Sequence, residues 1–432
     1  MRHFLFPLTM LALCIECRGE SAIRLETIPA ISGTQRAITI DPRKGIGPDE
    51  AAVVAVVMNP SLKAGRDKAG LAAAQLIQAG VLPNPQVTYE KDSVSGGATA
   101  GTQDGFSSSV TWEVTSLLPL LPKRAAARAN ARATNLEIEW DEWQAAVNAR
   151  LAVYHVAALE EELAQARKAD DALRASVETM RKAVDAHEKT VLDLAANEST
   201  SEDAYATMLE VDQDLQKQWL ELKEAMGLEP HDAVHLKGGI LLPSAIAVPD
   251  EAALCAAVNA RRIDLLGLQQ GLVSQDETVR AAVLGAFPKI TAGFARNTDT
   301  TDVHTQGFTV QVDLPLFDRS QGDIATERAT RTQLKDEYSE RLFEARHDIA
   351  AAIADIRSLN AQIASAEEAL PLLEKLVNIA GQSSAQGNAD VLGYYEAVSN
   401  LLGKRLDLIK LKEQLMEAKT ALEIASGRMD FN

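Results

Sequence analysis

The chain repeats itself at a distance of 200 residues, and no other feature constrains its fold as much. Shifted by 200 positions without a gap, residues 110–227 fall on 310–427. Val110/Val310, Ala129/Ala329, Leu159/Leu359, Val177/Val377 and Leu222/Leu422 coincide. Chance matching between Ala- and Leu-rich stretches accounts for some of these pairs. It does not account for Arg128/Arg328, Glu137/Glu337 and Gly227/Gly427 held in one register. Upstream, about 50–90 corresponds to about 250–295 at a slightly different offset. The chain is therefore a duplication, and its halves should share one architecture.

Many of the matches fall seven apart, which exposes the physics. In the second half Tyr338, Ala345, Ala352, Leu359, Ala366, Leu373 and Ala380 form one heptad line, and Leu342, Ile349, Ile356, Ile363, Leu370 and Val377 form another. The first half repeats this with Ile138, Ala145, Ala152, Leu159, Ala166, Leu173 and Met180. Its second line, Ala149, Val156, Leu163, Val177, Val184 and Val191, is interrupted by Asp170. A 3.5-residue period sustained over six heptads predicts a coiled-coil helix of about 60 residues, on the order of 90 Å long. Small breaks are expected around Ala186 to Lys189 and Gly381 to Asn388, each followed by a second helix, about 190–227 and 390–427. On the last of these, Tyr394, Leu401, Leu408, Leu415 and Leu422 make one seam, and Tyr395, Leu402, Ile409 and Met416 make an adjacent one. Two seams on one helix require neighbours on two sides, as in a closed cylinder of helices.

Ahead of each long helix the period changes to two. Pro85–Lys91 and Ser109–Thr115 alternate in the first half, Lys289–Arg296 and Phe308–Leu314 in the second. Such segments are strands with one apolar and one polar face. Ser93–Gly105 and Asn297–Gln306 read as solvent loops, so each pair is a hairpin. A small sheet packed on the helices is one solution. The other is a share of a transmembrane barrel, apolar outside and polar inside. Four strands cannot close, whereas three chains supply twelve.

Composition narrows the function. The 43 Lys+Arg against 61 Asp+Glu give a net charge of −18, which argues against nucleic acid as a partner. Aromatics are only 4% of the 432 residues, so Ala, Leu, Val and Ile must build the core. There is no HExxH, GxSxG or P-loop pattern, so neither an enzyme nor a cofactor is expected. Met1 to about Ile15 has a basic start and an apolar stretch, the pattern of a secretory signal peptide. Leu11-Ala12-Leu13-Cys14 faintly resembles a lipoprotein box, with Leu13 too large before the cysteine. If Cys14 and Cys17 leave with the leader, Cys255 remains alone and no intrachain disulfide forms. His231 and His235 are four apart, but Pro230 and Gly238-Gly239 mark a linker, so they read as surface histidines and no metal site is expected.

Two stretches carry a family resemblance. Gln78-Ala79-Gly80-Val81-Leu82-Pro83-Asn84-Pro85 resembles the segment before the first strand of TolC-family outer-membrane efflux proteins. Val312-Asp313-Leu314-Pro315-Leu316-Phe317-Asp318-Arg319-Ser320-Gln321-Gly322-Asp323-Ile324 resembles the family's passage from last strand to long helix. Together they look most like the heavy-metal (cobalt–zinc–cadmium, CzcC-like) branch, and the resemblance extends over about 48–428. Pro119, Pro122 and Pro315 fall where strand would turn to helix.

The resemblance implies a mainly α fold with a transmembrane β part. Long antiparallel coiled-coil helices would form an α-barrel, with four strands per chain in a trimeric twelve-stranded β-barrel in outer-membrane lipid. Residues 1–17 would be the signal peptide, 18–47 a periplasmic linker, 48–228 the first repeat, 229–249 an inter-repeat linker and 250–428 the second repeat. A homotrimer would meet a periplasmic adaptor (membrane-fusion) protein and an inner-membrane pump. Metal cations or small toxic molecules would pass from periplasm to outside. The family's tip motif, a Gly followed nine residues later by an acidic residue, fits Gly387 and Glu396. Asp390 lies between them, Gly393 stands where a second acid is usual, and the first-half tip has His187 and Asp193. A carboxylate ring of three Glu396 side chains would favour cations; an ordinary solvated helix face is the other reading. The rival to a conducting channel is a soluble periplasmic coiled-coil scaffold or adaptor.

Overall fold

The structure is a computed structural model and describes residues 45–97, 100–385 and 391–428, with the pairs 23–24 and 39–40. The leader with Cys14 and Cys17 lies outside the described residues, as do Gly387 and Asp390. Two short strands, β1 (Ile23–Arg24) and β2 (Thr39–Ile40), pair antiparallel. The first half then runs α1 (Pro48–Met58), α2 (Pro60–Gln78), β3 (Gln86–Asp92), β4 (Gly105–Glu113), α3 (Leu120–Asp185) and α4 (Val191–Ala225). The second runs α5 (Glu251–Arg261), α6 (Ile263–Gly285), β5 (Lys289–Thr298), β6 (His304–Asp313), α7 (Gln321–Ala385) and α8 (Val391–Ser426). Element starts move from 48 to 251, 60 to 263 and 86 to 289, an offset of 203. The long helices end at 185 and 385, and their partners begin at 191 and 391, an offset of 200.

The heptad lines do what their spacing requires. Along α7, Ala345, Ile349, Ala352, Ile356 and Ile363 are buried, and the remaining line positions from Tyr338 to Ala380 are at least half-covered. Along α3, Ala149, Ala152, Val156, Leu163, Ala166, Leu173, Val177 and Met180 are buried, whereas Val191, the last position of its second line, falls past the helix end at the start of the next helix and is exposed. Asp170, which breaks the line, is buried as well and accepts a hydrogen bond from the Arg174 Nε–H one turn on (2.9 Å). Proline at 371 lies inside α7, where it withholds one backbone donor from the helix. With 66 and 65 residues, α3 and α7 span about 100 Å. Each pairs with the shorter helix that follows it, and α3 also packs on α8, which joins the halves. Among the described residues no helix is long and apolar enough to cross a membrane.

The Gly227/Gly427 identity has a structural cause. Each glycine follows the C-terminal helix of its half with φ near +70° (70° and 66°). Beyond Gly227, the Leu228 N–H reaches back to the Lys223 carbonyl at 2.8 Å, closing the helix end. Each glycine also abuts the junction between the two short helices of its own half. A Cβ on Gly227 would stand 2.6 Å from the Asn59 Cα, and one on Gly427 would stand 3.0 Å from the Arg262 Cα.

The four strands form a single antiparallel sheet, β3-β4-β5-β6, rather than two separate hairpins. They also run further into the expected loops. β4 begins at Gly105 and not Ser109, and the second loop contracts from 297–306 to 299–303. Polar ladder pairs account for this: Asn297 faces Thr305, Thr298 faces His304, and the Ser107 Oγ–H donates to Asn297 at 2.8 Å. Polar composition alone had marked these residues as loop.

Candidate functional site

Register sorts the central rows of the sheet into an apolar and a polar face. Val87 lies opposite Val110, Val110 opposite Phe294, and Phe294 opposite Phe308. Paired residues share a face. That face therefore carries Val87 and Tyr89 of β3, Phe106, Val110 and Trp112 of β4, Ile290 and Phe294 of β5, and Phe308, Val310 and Val312 of β6, and it turns polar toward the β3–β4 and β5–β6 loops, where Lys91, Ser108, Arg296, Thr298, His304 and Gln306 share it. The opposite face carries Thr88 and Glu90, Ser109 and Glu113, Thr291 and Asn297, and Thr309, Gln311 and Asp313. The apolar face is uncovered: Phe308 is 90% exposed and Val87 74%. Rings meet on it, Phe294 edge-on to Phe308 at 5.7 Å, and the Trp112 indole N–H donates to the Pro83 carbonyl at 2.8 Å. Among the described residues both outer strands, β3 and β6, leave an edge unpaired. An exposed apolar face calls for an apolar covering, and open strand edges call for further strands.

The helices leave a matching vacancy. α6 is wedged between α3 and α7. On one side Gly267 comes so close that a Cβ would lie 3.6 Å from the Leu136 Cβ and 3.7 Å from the Ala133 carbonyl oxygen, and the Ser274 Oγ–H donates to the Ala126 carbonyl at 2.9 Å. On the other side the Gln269 amide donates to the Tyr338 hydroxyl at 3.0 Å. Its counterpart α2 packs chiefly on α3, where the Arg66 Nε–H donates to Glu142 at 2.5 Å. The α3 surface under α6 includes Ala129, Ala133, Leu136, Glu137 and Trp140. Moved by 200 residues, these positions become Ala329, Gln333, Asp336, Glu337 and Glu340, and with Thr332 they line an open groove on α7. Moved back by 203, Gly267, Gly271 and Ser274 become Ala64, Lys68 and Leu71 of α2, an exposed stripe with Leu71 62% exposed. The seat that α6 fills on α3 is thus open on α7, and α2 presents the equivalent stripe.

At the far end lie the tip residues. His187 follows α3 in the left-handed region (φ 59°), the position where glycine is favoured, and is exposed. Asp193 closes the start of α4. It accepts from the Thr190 N–H (3.0 Å) and Oγ–H (2.7 Å), and these bonds hold its carboxyl below the usual range. Glu396 is exposed on α8. Its neighbour Tyr395 was legible only as an apolar seam position, yet its hydroxyl shares a hydrogen bond with Ser176 of α3 (2.7 Å) and accepts one from the Asn197 amide of α4. This buried node ties the second helical pair to the first near the tip. A tyrosine within a heptad seam, opposite Ser and Asn, was the only signal. His231 and His235 are exposed on a non-helical linker. Among the described residues no group of three His, Cys, Asp or Glu is placed to hold a metal ion.

Comparisons with known proteins agree with this geometry. Residues 254–428 match the family model described as outer membrane efflux protein. No curated protein matches the sequence significantly. Among solved structures, CusC, described in connection with folding and transmembrane channel formation, superposes with a TM-score of 0.74 at 18% identity, covering 95% of this chain and 100% of that one. The outer membrane protein VceC from Vibrio cholerae gives 0.73 at 17%, covering 88% and 96%. The CmeC outer membrane channel of Campylobacter jejuni gives 0.73 at 14%, covering 94% and 95%. At these identities the likeness establishes the fold alone.

Proposed function

We propose that the chain is the outer-membrane tunnel of a tripartite efflux system, a passive conduit from periplasm to outside in series with an inner-membrane pump and a periplasmic adaptor. The observation that carries this reading is the sheet, apolar on one face, polar on the other and open at both edges. Its strands alternate in direction, so β3 and β6 run oppositely. The β6 edge of one chain therefore meets the β3 edge of the next in antiparallel fashion, and three chains close a barrel of about twelve strands with lipid outside and water inside. The groove on α7 supports the same arrangement. In a ring, α2 of the neighbouring chain occupies it as α6 occupies α3, with Lys63 facing the acidic Asp336, Glu337 and Glu340, while Lys68 lies 3.8 Å from Glu137 of its own α3. Exposed apolar residues on α7 (Leu372, Leu376 and Ile379) and α4 (Leu209 and Leu220) supply a further seam between chains.

On this reading the tip residues His187, Asp193, Gly387, Asp390 and Glu396 border the periplasmic mouth. Three Glu396 carboxylates there favour cations. The cargo is metal cations or small toxic molecules, with selection between them expected in the pump and adaptor. The test is fractionation followed by conductance in a planar bilayer. The protein is expected in the outer membrane as a detergent-requiring trimer that conducts, and Glu396→Gln should lower its cation preference. A detergent-free monomer in the periplasmic fraction would establish the scaffold reading instead. Unchanged selectivity in the variant would remove the gate role of Glu396 while leaving the channel.

A further inference from the structure

The packing of α3 on α8 is the principal joint between the two helical pairs, and it contains a cluster of titratable groups that conduction does not require. Most of the joint is apolar: Ala158, Leu151 and Tyr154 of α3 lie in the core cluster of Leu408, Ile409, Leu415 and Met416 of α8. Into it project His155 and Glu162, two turns apart on α3 and both half-buried. The His155 Nδ1 lies 2.5 Å from a Glu413 carboxylate oxygen, and its Nε2 lies 3.7 Å from Glu417, one turn further along α8. Glu221 of α4 adds a third negative charge near the ring. Glu162 faces Glu413 and Lys410 of α8, Asp214 of α4 and its own neighbour Glu161. Carboxylates thus outnumber cations at a half-buried joint, and protons decide whether the two helices attract or repel.

We infer that His155, Glu162, Glu413 and Glu417 form a proton-operated clasp between the two helical pairs, closed in acidic medium and slackened as the medium turns alkaline. A protonated His155 donates to Glu413 and lies within ion-pair distance of Glu417, both on α8. A neutral imidazole keeps at most one of these contacts. A protonated Glu162 sits beside Glu413 without repulsion, whereas an ionised one does not.

The titration of both groups runs in this direction. Burial works to lower the His155 pKa, but the hydrogen bond and charge of Glu413, with Glu417 and Glu221, outweigh it and leave it raised above 6.5. The contribution of His155 is therefore complete below 6.5 and lost as pH rises through the higher folded value. Burial first, then Glu413, pushes Glu162 from 4.5 up to about 7. The folded chain holds that proton more tightly than the unfolded one, so stability declines from pH 4.5 to about 7. The two losses add, and the clasp slackens from mildly acidic pH to just above neutrality.

The test is hydrogen exchange of the full-length protein in detergent at pH 5.5 and 8.0, corrected for intrinsic exchange and read on peptides covering 150–165 and 405–420. α5 and α6 serve as an internal reference. The opening constant of the joint should rise by at least about tenfold at the higher pH, the effect of a single proton whose affinity differs by about one pH unit between joined and parted helices, and further where both groups contribute. Glu162→Gln should retain protection at pH 8.0. His155→Gln should lose it at pH 5.5, and the milder Glu417→Gln should lose part of it. The clasp is refuted if the wild type shows no pH dependence at these peptides, or if Glu162→Gln and Glu417→Gln both keep the wild-type dependence. It lies within one chain, so its failure leaves the channel reading standing, and absent conductance leaves the clasp standing.

Discussion

Replacing Gly227 by alanine tests the duplication at its tightest contact. The residue sits at φ 70°, a conformation that costs a side-chain-bearing residue about 1–2 kcal/mol. The new Cβ would also stand 2.6 Å from the Asn59 Cα, 2.7 Å from its nitrogen and 2.8 Å from the Met58 carbonyl carbon. All three atoms are backbone at a helix junction and cannot swing aside. Overpacking of this kind adds about 1–3 kcal/mol, so Gly227→Ala should cost about 2–5 kcal/mol. Gly427 has the same backbone (φ 66°), but its nearest contact is 3.0 Å. There the conformational part remains, the steric part shrinks, and the cost falls to about 1–3 kcal/mol. Gly70 lies within α2 with nothing near its Cβ position, so alanine there should stabilise by about 0.5–1 kcal/mol. Thermal unfolding in detergent, followed by circular dichroism, should rank the midpoints Gly227→Ala lowest, then Gly427→Ala, then wild type, then Gly70→Ala. A Gly227→Ala midpoint indistinguishable from wild type would refute the argument from close approach. Equal losses at both glycines would show that conformation alone, and not the clash, sets the cost.

Other consequences follow from the same geometry. Leu71→Asp places a charge on the exposed α2 stripe and should dissociate the trimer in light scattering without loss of helicity; an intact trimer would remove α2 from the interface. Phe308→Asp on the apolar face of the sheet should abolish outer-membrane insertion at a cost of roughly 1–3 kcal/mol per chain, whereas Thr309→Asp, one residue along on the polar face, should insert normally. Asn360 exchanges two hydrogen bonds with Ile246 of the inter-repeat linker (3.1 and 2.8 Å). Asn360→Ala should cost about 1–2 kcal/mol and speed proteolysis within 229–249. Glu367 is held below the usual carboxylate range by Lys412 first and Ser244 second. Its small contribution is present above pH 4.5 and fades as pH falls, opposite in sign to the clasp. In Glu367→Gln, stability should therefore fall less than in wild type between pH 5 and 3.

What the sequence determined by itself was periodic. A 3.5-residue period, a two-residue period and a 200-residue repeat each state a geometry without reference to distant residues, which is why the helical seams, the strands and the duplication were legible. Even the apolar and polar faces of each strand followed from alternation. The tertiary structure decided what depends on pairing between elements. Register alone put Val87, Val110, Phe294 and Phe308 in one row and extended the ladder through polar Asn297 and Thr305, because backbone hydrogen bonds accept any side chain. Packing alone showed that α6 fills a seat on α3 that stands open on α7. Tyr395 and His155 carry no periodic signal for their partners: Ser176 and Glu413 lie more than two hundred residues away and meet them only when α8 docks on α3. Local rules read what a segment is, and only the folded chain decides what it touches.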